Sequence, residues 1–470
     1  MPFEKYEKSN NLNNYDVFPL VMNTGEETEI QIRPLGGRRE FESGRTYTLT
    51  ICALDTGCPR DYPVQASFEE SDIVCNEEGG FTVKHTFHTE QMYFLRFSAE
   101  GGKINQFPVY AVDGDLRNMY PFMGDLHMHT NLSDGHEIPE VVAANYRRHG
   151  YDFFAITDHG RYYPSLRAIE YYKNTPTEFV IVPGEEVHLP DVHGRRNDVH
   201  IVNFGGEFSV NALIEGVHTE EVGRDLSKRS IRENDVPDIM THEEFADKMK
   251  ALVAAADIPV HLDPVPPVVC KWIFDTIRSA NGLGIFAHPN WISDVYQVPE
   301  ALTDFMFETR FFDAFEVLGG EKYYEQNGTQ TARYYEECAK GHKVPIVGST
   351  DSHCSYSSNR NAFICSTMVF APVCERTEII SAIKNYRSVA IDTISEEFRI
   401  VGDRRLQKYT CFLLKNFFPL HDELSSEEGR LMKEYATGTP EEKEEALRVM
   451  AAISGRMRRQ REKYFAFRRD

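Results

Sequence analysis

Two different patterns of hydrophobic positions divide the chain near residue 118. Up to that point, short apolar or alternating runs are rich in Thr, Val, Tyr and Phe, and clusters of Gly, Pro, Asn and Asp separate them. The runs lie at residues 15–22, 28–33, 47–53, 81–87, 93–98 and 107–112. Short strands at this spacing are typical of an antiparallel β-sandwich. We therefore predict an all-β sandwich domain over residues 1–118, with a role in packing or in positioning a substrate.

After residue 118 the pattern changes to alternating strands and helices. Apolar runs typical of buried strands lie at residues 153–157, 179–183, 199–204, 284–287, 314–318, 345–349 and 367–370. Helical periodicity lies between and around them, at residues 137–148, 244–255, 272–280, 329–339 and 375–386. Apolar strands that alternate with helices form a parallel sheet or a closed barrel. With this many units, we predict a (β/α) barrel over residues 119–393.

Two regions depart from a minimal barrel. Residues 206–267 form an acidic, helical insertion, which we expect to be a lid or wall over the functional face and to govern substrate choice. Residues 394–470 form a C-terminal extension, for which the pattern predicts a strand at Tyr409–Leu414 and charged helices from Glu423. Its basic and aromatic end, residues 456–469, favours docking on an acidic surface of the same chain or of a neighbouring subunit in a homo-oligomer.

Charge and composition exclude several classes of partner. The net charge of −22 opposes binding to bulk nucleic acid and to an anionic membrane surface. No run approaches the roughly 18 consecutive apolar residues that span a bilayer, and the first residues lack the apolar core of a signal peptide. The nine cysteines show no C-x-x-C spacing, which indicates reduced thiols. We therefore expect a soluble, cytoplasmic protein.

The candidate chemistry starts in the stretch Gly124–Gly135, which reads GDLHMHTNLSDG. Side chains of a strand alternate between its two faces, so His127 and His129 share a face and can reach one metal ion. Asp134 lies in a Ser-Asp-Gly turn, from which a short carboxylate can fold back toward the same ion. Taken alone, an H-x-H pair is more often a surface pair or a hydrogen-bonded core pair.

The placement of polar residues in the rest of the chain favours the metal-binding interpretation of this pair. Nearly every predicted strand has an imidazole or a carboxylate at or near its carboxyl end, as His159, Glu185, His288, Asp351 and His353 show, whereas His200 begins its strand and Glu316 lies within its strand. In barrels, the carboxyl ends of the strands form the functional face. Histidine with carboxylates suits Zn²⁺, Mn²⁺ or Fe²⁺, and this set is too large for one tetrahedral ion. The sequence therefore predicts a multinuclear centre of the kind that hydrolyses phosphate esters.

The ordered set H-x-H, S-D-G, T-D-H, G-x-E, H, H-P and D-x-H resembles the polymerase and histidinol phosphatase (PHP) superfamily of metal-dependent phosphoesterases. The resemblance covers roughly residues 122–391, and it assigns the metal ligands His127, His129, Asp134, His159, Glu185, His200, His288, Asp351 and His353. It implies a distorted seven-stranded barrel that binds three divalent ions (Zn, Mn or Fe). No position of the set is lost, which favours a competent enzyme.

The resemblance also implies how these ligands divide among the ions. One ion takes His127, His129, Glu185 and Asp351; a second shares Glu185 and takes His200 and His288; a third takes Asp134, His159 and His353. A hydroxide that bridges the first two ions is the implied nucleophile. Glu185, Asp351 and His159 are the residues expected to act in catalysis.

Several assignments remain open at this level. The neighbouring histidines His136, His188 and His193 compete for the positions of Asp134 and His200. Arg161, Arg195 and Arg360 are candidates to hold a substrate phosphate, because a guanidinium matches phosphate oxygens, although a solvated or ion-paired loop arginine is the commoner case. Trp291 could stack on a substrate ring or pack at the rim, and Glu316 could orient a ligand histidine.

Two functions from different classes follow. The favoured one is a metal-dependent hydrolase that cleaves a phosphate ester of a small metabolite or nucleotide. The alternative is a non-catalytic binding or assembly protein that metal ions stabilise.

Overall fold

A computed structural model describes the chain at residues 14–36, 40–55, 68–99, 105–192, 194–195, 197–215, 231, 237–292, 294–320, 324–356, 362–393 and 398–467. The protein is mixed α/β, as predicted, and forms two compact units. The first unit comprises residues 1–120, 404–426 and 454–470, and the second comprises residues 121–403 and 427–453. The segments of the predicted C-terminal extension are thus divided between both units.

The first unit is built mainly from strands. These are β1 (Tyr15–Phe18), β2 (Val21–Asn23), β3 (Glu27–Pro34), β4 (Thr46–Ala53), β5 (Phe68–Val74), β6 (Phe81–Thr86), β7 (Gln91–Ser98), β8 (Asn105–Val112) and the last strand of the chain, β20 (Phe465–Ala466). Burial alternates along β7, as expected for a strand with one face on a core. Every run predicted in this region coincides with one or two of these strands. The polar strand β5 was not predicted, because it has no clear apolar alternation.

The strands of this unit form two sheets, in the orders β1-β3-β6 and β20-β2-β8-β7-β4-β5. Most pairs are antiparallel, whereas β2 runs parallel to both β8 and β20. Aromatic side chains of the two sheets meet, since the ring of Phe81 stacks on that of Phe97 at 4.2 Å. Phe41 packs its edge against Phe81 at 4.8 Å. The β-sandwich architecture itself stays a prediction.

The predicted strand at Tyr409–Leu414 is wrong. These residues lie in a helix, Arg404–Asn416, that buries Leu406, Tyr409 and Leu413 at helical spacing. A short apolar run cannot be distinguished from a buried helix by periodicity alone, and packing decides the outcome. Here the ring of Tyr409 lies 4.8 Å from that of Tyr110 in β8.

The basic end of the chain docks within its own unit. It forms a helix, Arg456–Tyr464, followed by β20. Lys463 Nζ lies 2.6 Å from Asp16 Oδ2, and the Tyr464 hydroxyl donates to Asp16 Oδ1 at 2.8 Å. These contacts and the pairing of β20 with β2 hold the segment on its own unit.

The second unit alternates strands and helices. Its strands are β9 (Tyr120–Asp125), β10 (Phe153–Ala155), β11 (Val180–Val182), β12 (Gly184–Glu186), β13 (Ile201–Phe204), β14 (Leu283–Phe286), β15 (Ala314–Leu318), β16 (Ile346–Gly348), β17 (Cys365–Ala371), β18 (Ser388–Asp392) and β19 (Arg399–Val401). Its helices are Pro139–Arg148, Tyr163–Tyr172, His242–Ala255, Val265–Ser279, Glu300–Thr309, Tyr324–Ala339, Arg376–Lys384 and Pro440–Ile453. A further helix, Phe418–Thr437, spans the boundary between the units.

These strands form two sheets, in the orders β11-β10-β9-β17-β18-β19 and β12-β13-β14-β15-β16. The pairs β9–β10, β10–β11, β14–β15 and β15–β16 are parallel, whereas β12–β13 and β13–β14 are antiparallel. Isolated bridges join the two sheets beyond their strand ends, between Met128 and Ser352 and between His159 and Glu186. A closed seven-stranded barrel stays a prediction.

The described part of the 206–267 insertion contains a short 3-10 helix, Asn211–Leu213, and the helix His242–Ala255. The latter begins with a capping box, in which Thr241 and Glu244 each accept from the other's backbone N–H. Residues 216–230 and 232–236 lie outside the described residues, so the lid stays a prediction. Among the described helices, none has the length and apolar character needed to cross a bilayer.

Candidate metal centre

The strand ends of the second unit place a group of histidines and carboxylates in one cluster. His127 and His129 follow β9, and His159 follows β10. Glu186 ends β12, His200 precedes β13, His288 follows β14, and Asp351 and His353 follow β16. Their ligand atoms form overlapping groups in which all atoms lie within 4.8 Å of one another. The cluster therefore lies where β9, β10, β12, β14 and β16 end and where β13 begins.

Glu186 lies at the middle of the cluster and is fully buried. Its Oε2 lies 2.6 Å from His159 Nδ1. The same oxygen lies 3.6 Å from Nε2 of His127 and 3.6 Å from Nε2 of His129. Its Oε1 lies 2.7 Å from His200 Nδ1. One carboxylate therefore faces imidazoles from several different strands.

Asp351 is the second carboxylate of the cluster. Its Oδ1 lies 2.8 Å from His129 Nε2 and 3.3 Å from His127 Nε2, and its Oδ2 lies 3.5 Å from His288 Nε2. Asp351 and His288 have positive backbone φ angles of 49° and 21°. Such angles are uncommon outside glycine, and they occur where surrounding structure holds a residue in place for function.

Asp134 forms the most exposed part of the cluster. Its Oδ2 lies 3.4 Å from His159 Nε2 and 3.3 Å from His353 Nε2. Its Oδ1 lies 3.9 Å from His129 Nδ1. The S-D-G turn therefore folds the carboxylate back toward the histidines, as the sequence pattern predicts.

These separations fit metal ligands. Two ligand atoms of one tetrahedral Zn²⁺, each bound at ~2.0–2.1 Å, lie about 3.3 Å apart. The distances that Glu186 Oε2, Asp351 and Asp134 make to imidazole nitrogens include seven of 3.3–3.6 Å. Hydrogen bonds between such atoms are shorter, usually 2.7–3.2 Å.

Unpaired polar atoms provide an independent test of the fit. In the described residues, both oxygens of Glu186, both ring nitrogens of His288 and one nitrogen each of His127 and His129 are buried without a hydrogen-bond partner. A buried polar atom without a partner is rare and costly. Because these residues belong to one cluster of electron-pair donors, divalent cations would satisfy those atoms that face it.

Burial lowers the pKa of the histidine rings, whereas nearby carboxylates raise it. Burial lowers the pKa of His288 to about 3 and that of His129 to about 4, so these rings are neutral donors at neutral pH. Burial also lowers the pKa of His159, but the charges of Glu186 and Asp134 outweigh it and raise that pKa to about 10. A cation that binds at His159 therefore has to displace a proton.

A second layer of contacts orients the ligands. Glu316 is fully buried, and its Oε2 lies 3.0 Å from His127 Nδ1, on the ring side away from the cluster. The Nδ1 of His353 lies 2.9 Å from the carbonyl oxygen of Asp351. Outer contacts of this kind fix the ring orientation and tautomer of metal-binding histidines. Glu316 thus takes the orienting position that the sequence left open.

The assignment of Glu185 is the one that the structure does not support. Its carboxylate accepts hydrogen bonds from four groups outside the cluster: Asn203 Nδ2 at 3.0 Å, Val210 N at 2.6 Å, Ser209 Oγ at 2.6 Å and Asn211 Nδ2 at 2.8 Å. Consecutive side chains of a strand point to opposite faces, so only one of two neighbouring glutamates can face the cluster. The G-x-E spacing, read from Gly184, selects Glu186.

His188 also belongs to the cluster, with its Nε2 2.8 Å from His159 Nδ1. From the sequence alone, His188 is only a competitor for other positions. The alternation of strand side chains was the available signal, because residues 186 and 188 share a face. His136 is not a member of any of the ligand groups, and His193 lies outside the described residues.

The candidate substrate-binding arginines differ in their surroundings. Arg161 follows His159 closely in sequence and is half-buried. Arg195 is exposed and pairs with Asp263 at 2.9 Å, which ties it to the insertion. Arg360 lies outside the described residues. The ring of Trp291 lies 6.5 Å from the rings of both His200 and His288, at the edge of the cluster.

The fold and the cluster together define an α/β protein with a buried histidine–carboxylate centre suited to divalent metal ions. No protein-family model matches this sequence, and no curated protein matches it. Solved structures that are similar to it include proteins described as PHP-like metal-dependent phosphoesterases.

One is a two-domain protein from Bacteroides vulgatus that contains such a phosphoesterase, 15% identical over 59% of this chain and 67% of its own, with a TM-score of 0.37. A second is described as a metal-dependent phosphoesterase from Bifidobacterium adolescentis, 17% identical over 49% of this chain and 87% of its own, with a TM-score of 0.31. A third is an amidohydrolase from Chromobacterium violaceum, 17% identical over 56% of this chain and 96% of its own, with a TM-score of 0.31.

Proposed function

We propose that this protein is a metal-dependent hydrolase that cleaves a phosphate ester of a small metabolite or nucleotide. In this proposal the second unit is a distorted PHP-type barrel, and the centre binds three divalent ions (Zn, Mn or Fe). The observation that carries the proposal is the position of Glu186, whose two oxygens face imidazoles on different sides. A carboxylate in that position can bind two cations at once.

The donor groups support a division of ligands close to the one that the motif resemblance implies, with Glu186 in place of Glu185. Four of the five groups carry this division: His127, His129 and Glu186; His127, His288 and Asp351; Glu186, His200 and His288; and His129, Asp134, His159 and His353. Bound ions would supply Lewis-acid activation of a water molecule and of the phosphate group.

The protein's own residues would perform the remaining tasks. Glu186 and Asp351 hold the negative charge that keeps several cations close together. Glu316 keeps the His127 ring in place through Nδ1, so that Nε2 faces the cluster. Because the chain carries a net charge of −22, attraction of a phosphate has to be local. Arg161, which follows His159 by two residues in the chain, is our candidate to add to it.

A small substrate is the class that fits this charge distribution. The proposal includes no bulk nucleic acid partner and no membrane partner, since neither would tolerate the overall negative charge. The alternative of a non-catalytic protein stabilised by metal predicts the same bound ions but no turnover.

Hydrolysis of an aryl phosphate by chelator-stripped protein, with Mn²⁺, Zn²⁺ or Fe²⁺ added back, tests the proposal. Asp351→Asn and His129→Ala serve as site variants. Lys84→Ala, in an exposed ion pair with Glu29 in the first unit, serves as the matched control. We expect turnover that depends on added metal, that both site variants abolish and that the control retains.

Phosphate monoesters with nucleoside, sugar and amino-alcohol leaving groups then define the substrate class. Bound ions without hydrolysis of any of these esters would contradict the enzyme and support the non-catalytic alternative. Turnover that survives metal removal would contradict the metal-dependent mechanism.

A further inference from the structure

His188 makes contacts that the motif resemblance does not account for. Its Nε2 lies 2.8 Å from His159 Nδ1 and 3.6 Å from Glu186 Oε2. The three atoms form a donor group of their own, within 4.8 Å of one another. The ring of His188 also lies 5.3 Å from that of His200, and the rings of His159 and His200 lie 6.1 Å apart.

Hydrogen bonds of the backbone fix the position of His188. The backbone N–H of His188 donates to Asn211 Oδ1 at 3.0 Å, and Asn211 Nδ2 donates to Glu185 at 2.8 Å. Asn211 is buried, and so is Glu185. A buried network that fixes the backbone beside the cluster is the kind of support that ligand positions require.

The three atoms have few protons to share, and His159 Nδ1 lies at hydrogen-bond distance from both of the others. His159 Nδ1 carries at most one proton, and two acceptors face it: Glu186 Oε2 at 2.6 Å and His188 Nε2 at 2.8 Å. If His188 donates instead, then His159 Nδ1 and Glu186 Oε2 are two electron pairs in contact. Glu186 Oε2 and His188 Nε2 lie 3.6 Å apart, which is beyond hydrogen-bond distance and near the about 3.3 Å expected for two ligands of one ion. A cation between these two atoms would satisfy both lone pairs, while His159 Nδ1 lies at hydrogen-bond distance from each of them.

We propose that His188 is a further ligand of the metal centre and that it binds an ion together with Glu186 on the side of His159. This inference rests on the proposed function, in that it assumes a metal centre at the cluster. The centre then contains one imidazole more than the motif set supplies. Imidazole favours Zn²⁺ and Fe²⁺ over Mn²⁺, so His188 shifts the metal preference of the protein.

Metal binding to the full chain tests this without any activity assay. The proteins are the wild type, His188→Ala, His188→Gln, His129→Ala as a positive control and His136→Ala as a matched control. His136 is an exposed histidine of the S-D-G loop that belongs to no ligand group. The measurements are metal content per chain, dissociation constants for Zn²⁺ and Mn²⁺ by chelator competition, and the visible spectrum of the Co²⁺-loaded protein.

We expect both His188 variants to weaken the tightest affected Zn²⁺ site by more than ~100-fold, because loss of an outer contact alone costs ~10–100-fold. Mn²⁺ binding should weaken less, the Co²⁺ spectrum should change, and His136→Ala should match the wild type. A smaller loss with an unchanged Co²⁺ spectrum would mean that His188 only positions His159, and would overturn the inference.

The two proposals fail in distinguishable ways. If His129→Ala loses metal while both His188 variants bind like the wild type, only the inference about His188 is wrong. If His129→Ala also binds metal like the wild type, the ions are not held at this cluster, and the proposed function fails with the inference.

Discussion

The neighbouring residues Glu185 and Glu186 provide the sharpest test of the site, because they are equally buried and point in opposite directions. We predict that Glu186→Gln removes metal and activity, whereas Glu185→Gln mainly destabilises the fold. Both substitutions remove one negative charge and keep the shape of the side chain. A difference between them therefore reports which carboxylate faces the ions.

The expected magnitudes follow from the contacts of each side chain. In Glu185→Gln the amide nitrogen replaces an oxygen that accepts from two donors. Ser209 can turn its hydroxyl to accept instead, but Asn211 cannot reverse its amide without losing the hydrogen bond from the His188 N–H. Loss of one to two charge-assisted hydrogen bonds costs about 2–4 kcal/mol. This is less than the ~5–15 kcal/mol stability of a typical domain, so the variant should still fold.

In Glu186→Gln the cluster loses the carboxylate that faces five imidazoles. We expect metal affinity and metal-dependent hydrolysis to fall by more than ~100-fold, beyond the effect of an outer contact. The assays are metal content after dialysis, aryl phosphate hydrolysis per folded molecule, and urea unfolding of the stripped proteins. Equal loss of metal in both variants, or loss in Glu185→Gln alone, would refute the placement of Glu186 at the centre.

Three further predictions concern the surroundings of the site. Glu316→Gln should weaken metal binding by ~10–100-fold in chelator competition, because it loosens the His127 ring. Glu337→Gln is the control and should not weaken it, since Glu337 contacts His342 outside the ligand groups. Equal metal affinities of the two variants would contradict the orienting role of Glu316. Apparent metal affinity should fall as the pH falls from 9 to 6, by up to about tenfold per pH unit for each displaced proton, because the pKa of His159 is raised to about 10 and its ring is protonated below that pH. Calorimetry in buffers of different ionisation enthalpy should detect the released proton. A metal affinity that does not change with pH would contradict this prediction. Glu428→Ala should destabilise the protein by about 3–5 kcal/mol in urea unfolding, because it leaves the fully buried Arg147 without the carboxylate at 2.5 Å. Arg430→Ala, which breaks an exposed pair with Glu434 on the same helix, should cost less than about 1 kcal/mol. Similar costs for both variants would contradict a stabilising role of the buried Arg147–Glu428 pair.

The strand ends were predictable because a buried strand appears in the sequence as an apolar run. An apolar run followed at once by His, Asp or Glu, as at Phe153–His159 or Ile346–Asp351, marks a buried strand that ends at a polar site. Because that pattern recurs from strand to strand, it identified residues of one site that lie far apart in the chain. The directions of the strand pairs were not predictable, because an apolar run such as β13 does not encode the direction of its neighbours.

Two errors have related physical causes. Glu185 and Glu186 differ only in the face that each occupies, and a short strand offers too few alternating residues to fix the face. The G-x-E spacing carried that information, and Glu185 departs from it. For Tyr409–Leu414, packing against Tyr110 decided between helix and strand, and this long-range contact has no local signal. His188 is only a competitor for other positions in the sequence, and its contact with His159 depends on the fold.

The most direct test of the central claim is a titration of stripped protein with Zn²⁺ or Mn²⁺ that follows bound ion and released phosphate in the same samples. The account predicts no hydrolysis without metal, hydrolysis that rises with bound ion, and saturation at more than one ion per chain. Saturation of the cluster without release of phosphate from any ester in the panel would contradict it.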